Sequence, residues 1–404
     1  MNVEELVRDS LREQAAEQRP ADPRFADRVL AVRRRRRTRR LASLAGAAAV
    51  AVAVAVGVPL LDSGDEQVRP AGRPAGSGTS AHPDQSPPRD LIAAGDTALA
   101  AYYTTEVVAR TEVRGVEERA YWLLDPATGR YEKDGRWSFV AVAPGLGTAA
   151  VLERALPARR IGLLDLATGE VERWIPAPQG AGGLAFSDDG RQLIATTYDE
   201  NPDLRDRAAG AGGGSDWISR FGRSSRTGFL VADVRGGGAG WSAVPATLDI
   251  NARQDFAFSH DARLVYTQFI GGRDGLQRFY DLTGERVAAP VDERHLRSDV
   301  TARLSPDGRL AALGLTAERK DASYSAILDP RSGKEVARVR GAELLAWADD
   351  RRLIAWERTP GSEPYRPRLV LVTVGSERVV PLSGVNAQGP SGPGRRWWPV
   401  FAPR

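Results

Sequence analysis

Two short turn motifs alternate along this chain at a spacing of roughly 40–48 residues, and that regularity restricts most of it to a repeat fold. One motif is an apolar residue followed by Ser-x-Asp-Gly-Arg. It occurs as Phe186-Ser187-Asp188-Asp189-Gly190-Arg191 and Leu304-Ser305-Pro306-Asp307-Gly308-Arg309, with degenerate copies at 258–263 and 347–352. The other is Asp-x-x-Thr/Ser-Gly, at 125–129, 165–169 and 329–333, with a shorter copy at 281–284. In both, an Asp or Ser side chain is suited to bind the turn backbone and Gly to take a positive φ, so each marks a tight reversal between strands. A short apolar strand follows the first motif, as at 310–315, and another precedes the second, as at 325–328. Residues 334–339 then alternate charged and apolar side chains. Each repeat is predicted to be a four-stranded antiparallel unit.

The motifs resemble the WD40-like and TolB-type propeller repeats, whose hallmark is the Ser-Pro-Asp-Gly-Arg turn seen here at 305–309. The resemblance implies an all-β propeller over residues 91–404. One departure is that the Trp-Asp dipeptide ending strands in true WD40 blades is absent from these units. Units are expected near 137–176, 181–246, 253–291, 300–341 and 342–384, plus 97–135, which lacks a first strand. The C-terminal run Trp397-Trp398-Pro399-Val400-Phe401-Ala402-Pro403 is expected to supply it, closing the sheet series and removing exposed edges. Six blades are expected, with seven as the alternative count. Propellers host many chemistries, so the likeness implies a fold and not an activity.

The first ninety residues have a different character. Arg33, Arg34, Arg35, Arg36, Arg37, Arg39 and Arg40 abut the segment 41–61, which has no ionisable side chain. A helix of that length covers roughly 30 Å, the hydrocarbon thickness of a bilayer. Basic residues stay on the cytoplasmic side, so the expectation is a single-pass protein of the cell membrane with its N-terminus inside and its propeller extracytoplasmic. A cleaved export signal is the main rival reading, but a core of this length without an A-x-A site argues for retention. Residues 1–40 hold 12 Arg and 7 acidic residues, a net of +5, leaving 44 basic and 45 acidic residues elsewhere. The basic excess therefore belongs to the tail and reads as topogenic, with no nucleic acid partner.

Within 1–40, Val3, Leu6, Val7, Leu11 and Ala15 form an amphipathic stripe, and Asp22-Pro23 reads as the cap of a second short helix. This cytosolic helical segment is a candidate docking site for a cytosolic protein. Its arrangement before one span and an outer domain resembles bacterial anti-sigma regulators, without the His and paired Cys of their zinc-binding members. Residues 62–90, rich in Pro, Gly, Ser, Asp and Arg, read as a disordered linker.

In an antiparallel four-stranded unit, the connections from second to third strand and those between units share one face. Recognition is expected there. The long connection 199–227 contributes Asp199, Glu200, Asp203, Arg205, Trp217, Phe221 and Arg223, and the shorter 359–368 contributes Tyr365 and Arg366. Aromatic and arginine residues are the types enriched where partners bind. The expected partner is an extracytoplasmic protein or an envelope ligand, making the propeller a binding module, sensor or scaffold. With no Cys, three scattered His and no phosphate-cradling motif, neither a metal site, a cofactor nor a catalytic set is expected. The alternative is an extracytoplasmic hydrolase or lyase acting on an envelope substrate, which requires two or more carboxylates or a Ser/His pair converging at the mouth of the axial channel.

Overall fold

In the computed structural model, the described residues are 78–209, 215–220, 224–236, 238–246, 253–268, 275–319, 322–358, 366–386 and 396–404. All of them lie within Glu66–Arg404, one of the two units into which the chain divides. Their regular elements are strands. Among the described residues no helix is long and apolar enough to cross a membrane. The Arg33–Arg40 cluster and the segment 41–61 lie outside them, as do Phe221, Arg223 and Tyr365.

The chain lays down antiparallel sheets in sequence order. Trp137–Val142, Thr148–Glu153, Ala158–Asp165 and the first half of Val171–Phe186 pair consecutively. The second half of Val171–Phe186 then opens the next set, pairing with Gln192–Tyr198, which leads to Arg226–Asp233 and Ala239–Ala243. One continuous strand thus serves two units, with Gly180 at φ +85° near their junction. Further sheets follow from Ala257–Phe258 to Arg286–Val287, from Ala311–Glu318 to Glu335–Arg340, and from Glu343–Trp347 to Val379–Val385. An isolated bridge from Leu304 to Ala311 lies where the first strand of the fifth set is expected.

Closure comes from the far end of the chain. Trp397–Pro403 pairs antiparallel with Thr97–Ala109, from Thr97↔Pro403 to Thr104↔Trp397, beside Arg114–Asp125 and Arg130–Asp134. The missing strand expected from the repeat count is therefore C-terminal. Fully buried Trp397 packs its ring 5.0 Å from Trp356 and 5.7 Å from Tyr102, welding the last set to the first. A series of antiparallel sheets closed by pairing its last strand into its first is a propeller-type topology.

The turn motifs are structural, for the reason their composition suggests. Ser187, Ser259 and Ser305 each donate to the Asp two residues on, at 2.7, 2.8 and 2.7 Å. Gly190 and Gly308 take φ +68°, and where the third copy has Ala262 the backbone still adopts φ +57°. In the second motif Thr128 donates to Asp125 at 2.7 Å and Ser332 to Asp329 at 2.7 Å. These carboxylates, held below their usual range by their hydroxyl and backbone donors, are consumed in shaping turns.

Residues 78–90, which composition assigns to the linker, are instead part of the folded unit. Ser80 bridges Ala93, and His82 bridges Ser383 in parallel, with its amide on the Leu382 carbonyl at 2.9 Å. Gly384 N donates to the Gln85 carbonyl at 2.8 Å, and Trp397 Nε1 to Ser86 Oγ at 3.0 Å. The donating amides are those of Ser80, His82 and Gln85, placed between the prolines at 83, 87 and 88, so this strap forms without an apolar pattern.

Candidate functional site

The long connection folds into a hairpin, not a loose insertion. Leu204–Ala209 pairs with Ser215–Ser219, and the hairpin crosses to the first sheet, where Leu204, Arg205 and Asp206 face Val116, Gly115 and Arg114. The first sheet is prepared for this: Thr97–Ala109 and Arg114–Asp125 are 13 and 12 residues long and project beyond their neighbours. Gly115 lets the hairpin approach, since a Cβ there would meet the Val107 side chain at 2.8 Å and Trp217 at 3.3 Å. Trp217 lies under the Arg207 guanidinium, 5.6 Å away. Ser215–Ser219 ends the sheet, leaving its outer edge without a strand partner among the described residues.

Asp203 locks the base of the hairpin. It is 2 % exposed and takes two guanidinium forks. Arg119 donates to it at 2.6 and 3.1 Å, and Arg253 at 2.7 and 2.9 Å. Arg253 also donates to Asp255 and to the Gly182 carbonyl, both at 2.7 Å, while Tyr198 Oη donates to Asp255 at 2.8 Å. The Phe139 ring lies under both guanidiniums, at 5.7 and 5.1 Å. Burial alone would raise the Asp203 pKa; the Arg253 and Arg119 charges overcome it and hold the carboxyl well below its usual range. Four segments remote in sequence are joined at this point.

Beside the lock is a cavity of about 240 Å³, walled by Arg110, Glu117, Glu118, Arg119, Arg154 and Asp203, with Ser138 and Asn201. Its carboxylates are already neutralised: Glu118 by Arg110 and Arg154, Glu117 by Arg205. Asp203 and Asp255 both pair with Arg253. A general acid must carry a proton near the working pH, and Asp203 is held ionised by two arginines. Among the described residues no group of three His, Cys, Asp or Glu is placed to hold a metal ion.

The other sequence-selected residues divide. Asp199 and Glu200 are exposed, Asp199 N closing onto the Ser225 carbonyl at 2.9 Å and Glu200 pairing with Arg220 at 2.7 Å. Arg205 is engaged with Glu117, so it positions the hairpin. Arg366 is exposed on the same face, beside the start of Pro367–Thr373.

Near Arg366 lies a second charged group that only partly declares itself in sequence. Glu357, 1 % exposed, pairs closely with Arg340 and lies 3.7 Å from Arg368. Arg396 stands 3.7 Å from Glu343 and stacks 3.9 Å over the Trp398 ring. Arg358 stands 3.7 Å from Glu318. Arg119, Arg253, Arg340 and Glu357 escape sequence reading because each lies in or beside a strand, where one charged residue looks like any solvent-facing position. Their only signal is a charge interrupting an apolar run, as Glu357 does after Leu353-Ile354-Ala355-Trp356.

No family model matches the chain, and no curated protein matches it. Among solved structures it is similar to a hydrazine synthase chain of Kuenenia stuttgartiensis, at 14% identity and TM-score 0.35 over 61% of this chain. It spans 65% of that chain's length. It is also similar to TolB from Acinetobacter baumannii, at 15% identity and TM-score 0.36 over 72% of this chain and 68% of TolB. A third is the Cps50 (Swd1) β-propeller domain of Myceliophteria thermophila, at 12% identity and TM-score 0.35 over 72% of this chain and 87% of that one. The strand pairing above, and not likeness at this level, carries the all-β propeller-type fold.

Proposed function

We propose that this chain is a membrane-anchored, extracytoplasmic propeller of six blades that binds a protein or envelope ligand on the face of its second-to-third-strand connections. It acts as a sensor or scaffold module, with residues 1–40 open to a cytosolic regulatory partner. Six sets of paired strands, counting Val171–Phe186 twice and the C-terminal strand in the first, support the blade number. The arginine cluster beside 41–61 supports the anchor and its orientation.

One observation carries the binding role. The longest connection on that face is built as a hairpin with an open edge, fixed by a doubly forked buried carboxylate, with Glu200 and Asp206 held by Arg220. Such construction holds a surface in place. Open edges and presented aromatics are what peptide and protein partners engage.

Photocrosslinking in cells tests this. A photoreactive residue at exposed Ser215 is expected to capture a specific neighbour, and one at exposed Arg331, in a turn on the opposite face, is not. Identical adducts from both positions would remove the reading. The anchor is tested separately: protease added to intact cells, with the outer barrier made permeable, should remove the propeller and spare residues 1–40. A propeller that resists until the cells are lysed would reverse the orientation.

A further inference from the structure

The guanidinium contacts on this face are of two kinds. At the hairpin lock the forks are filled, with N···O distances of 2.6 to 3.1 Å. Around the ends of Arg352–Arg358 and Pro367–Thr373, Arg368 and Arg396 each stand 3.7 Å from their nearest carboxylate. That is charge proximity without a hydrogen bond. The Nε atoms of Arg340, Arg368 and Arg396 are inaccessible to water and have no acceptor. Buried donors without acceptors are costly, so they mark where an acceptor is wanted.

Charge points the same way. Among the described residues Arg319, Arg340, Arg368 and Arg396 lie at these strand ends beside Glu318, Glu343 and Glu357. Three of the cations lie over half-buried rings, Arg396 over Trp398 at 3.9 Å, and Arg319 and Arg340 over Tyr324 at 5.4 and 5.7 Å. A bare inorganic anion needs only the cations. Planar forks set beside partly open aromatic rings suit a peptide that carries several carboxylates in a row.

We propose that Arg368 and Arg396 form a site for an acidic peptide segment of the partner protein, its carboxylates hydrogen-bonding the guanidiniums that Glu357 and Glu343 leave unbonded. The site rests on the binding role proposed above and names the chemistry of the ligand.

The full-length chain in detergent, titrated into fluorescently labelled hexaglutamate, is expected to raise its anisotropy. Hexalysine should give no response. Arg368→Gln and Arg396→Gln should each weaken hexaglutamate binding about tenfold, with Arg368→Lys intermediate because it keeps the charge and loses the fork. Arg396, 29% exposed with no hydrogen-bonded carboxylate, serves if the Arg368 variant does not fold. No binding, or binding unchanged in a folded Arg396→Gln variant, would overturn the proposal. So would displacement of the peptide by inorganic phosphate or by phosphatidylglycerol in mixed micelles at lower concentration than by free hexaglutamate, which would reassign the forks to a small anion or a lipid surface. A neighbour captured from Ser215 without hexaglutamate binding sinks this site alone; hexaglutamate binding without any captured neighbour sinks the partner role instead.

Discussion

Two arginine–carboxylate clusters share one face of this propeller and use the same chemistry to opposite ends. At Asp203, two guanidiniums meet one carboxylate in full forks, and the charge is closed upon itself. At Glu357, one arginine is tightly paired, and the others stand beyond hydrogen-bond reach of their acids. A buried ion pair contributes little net stability, because desolvation offsets its attraction, but breaking it by removing one partner is expensive. Saturation therefore makes a fastener; deficit makes a receptor. The lesson is that counting charges on a face says less than counting unfilled donors.

Replacing the saturated acid should produce the largest effect. Asp203→Asn strips buried Arg119 of its carboxylate and Arg253 of one of its two, and a loss of about 3–5 kcal/mol is expected in urea denaturation. A loss below about 1 kcal/mol would mean the lock is ornamental and break the comparison. Glu357→Gln should cost less, about 2 kcal/mol, since Arg340 and Arg368 keep access to water at 20% and 28% exposure.

Acid sharpens the same contrast. The Asp203 carboxyl is depressed in the folded chain, so its contribution is fully present above the unfolded value near pH 4 and fades as pH falls below that. The stability gap between wild type and Asp203→Asn should accordingly be constant from pH 5 to 7 and narrow below about pH 4 in denaturant titrations. A gap that narrows between pH 5 and 7 would show that Asp203 is not held ionised.

The smallest effect belongs to the opposite face. His260 Nδ1 lies 2.9 Å from Asp188, and this hydrogen bond raises the imidazole pKa. A raised histidine stabilises the fold fully below its unfolded value near 6.5 and loses that contribution as pH rises through its folded value. His260→Gln should therefore lower stability by about 0.5 kcal/mol at pH 6 and leave it unchanged at pH 9. An equal change at both would make the histidine's charge irrelevant.

The scaffold was readable because its physics is local. Ser187–Asp189 and Ser305–Asp307 make their bonds two residues apart, so the turns are written where they act. The C-terminal strand was readable by a deficit, a unit with three strands and an apolar remainder. The lock was not readable, because Asp203 meets Arg119 and Arg253 across 84 and 50 residues and nothing local records either pairing. The hairpin hid behind its glycine run at 210–214, which looks like a spacer. Arg366 was noticed as a loop residue; that Arg368 and Arg396 stand beyond hydrogen-bond reach of a carboxylate is visible only once Glu357 and Glu343 are placed.

The strap at 78–90 has a mechanical consequence. It enters the domain at the seam where the C-terminal strand closes the series, and Ser86 holds Trp397. Tension transmitted along the preceding chain arrives at the Ser80 and His82 bridges before it reaches any sheet. Those few bonds would yield first and uncover the pairing of Trp397–Pro403 with Thr97–Ala109, so pulling on residue 80 and opening of this seam are coupled.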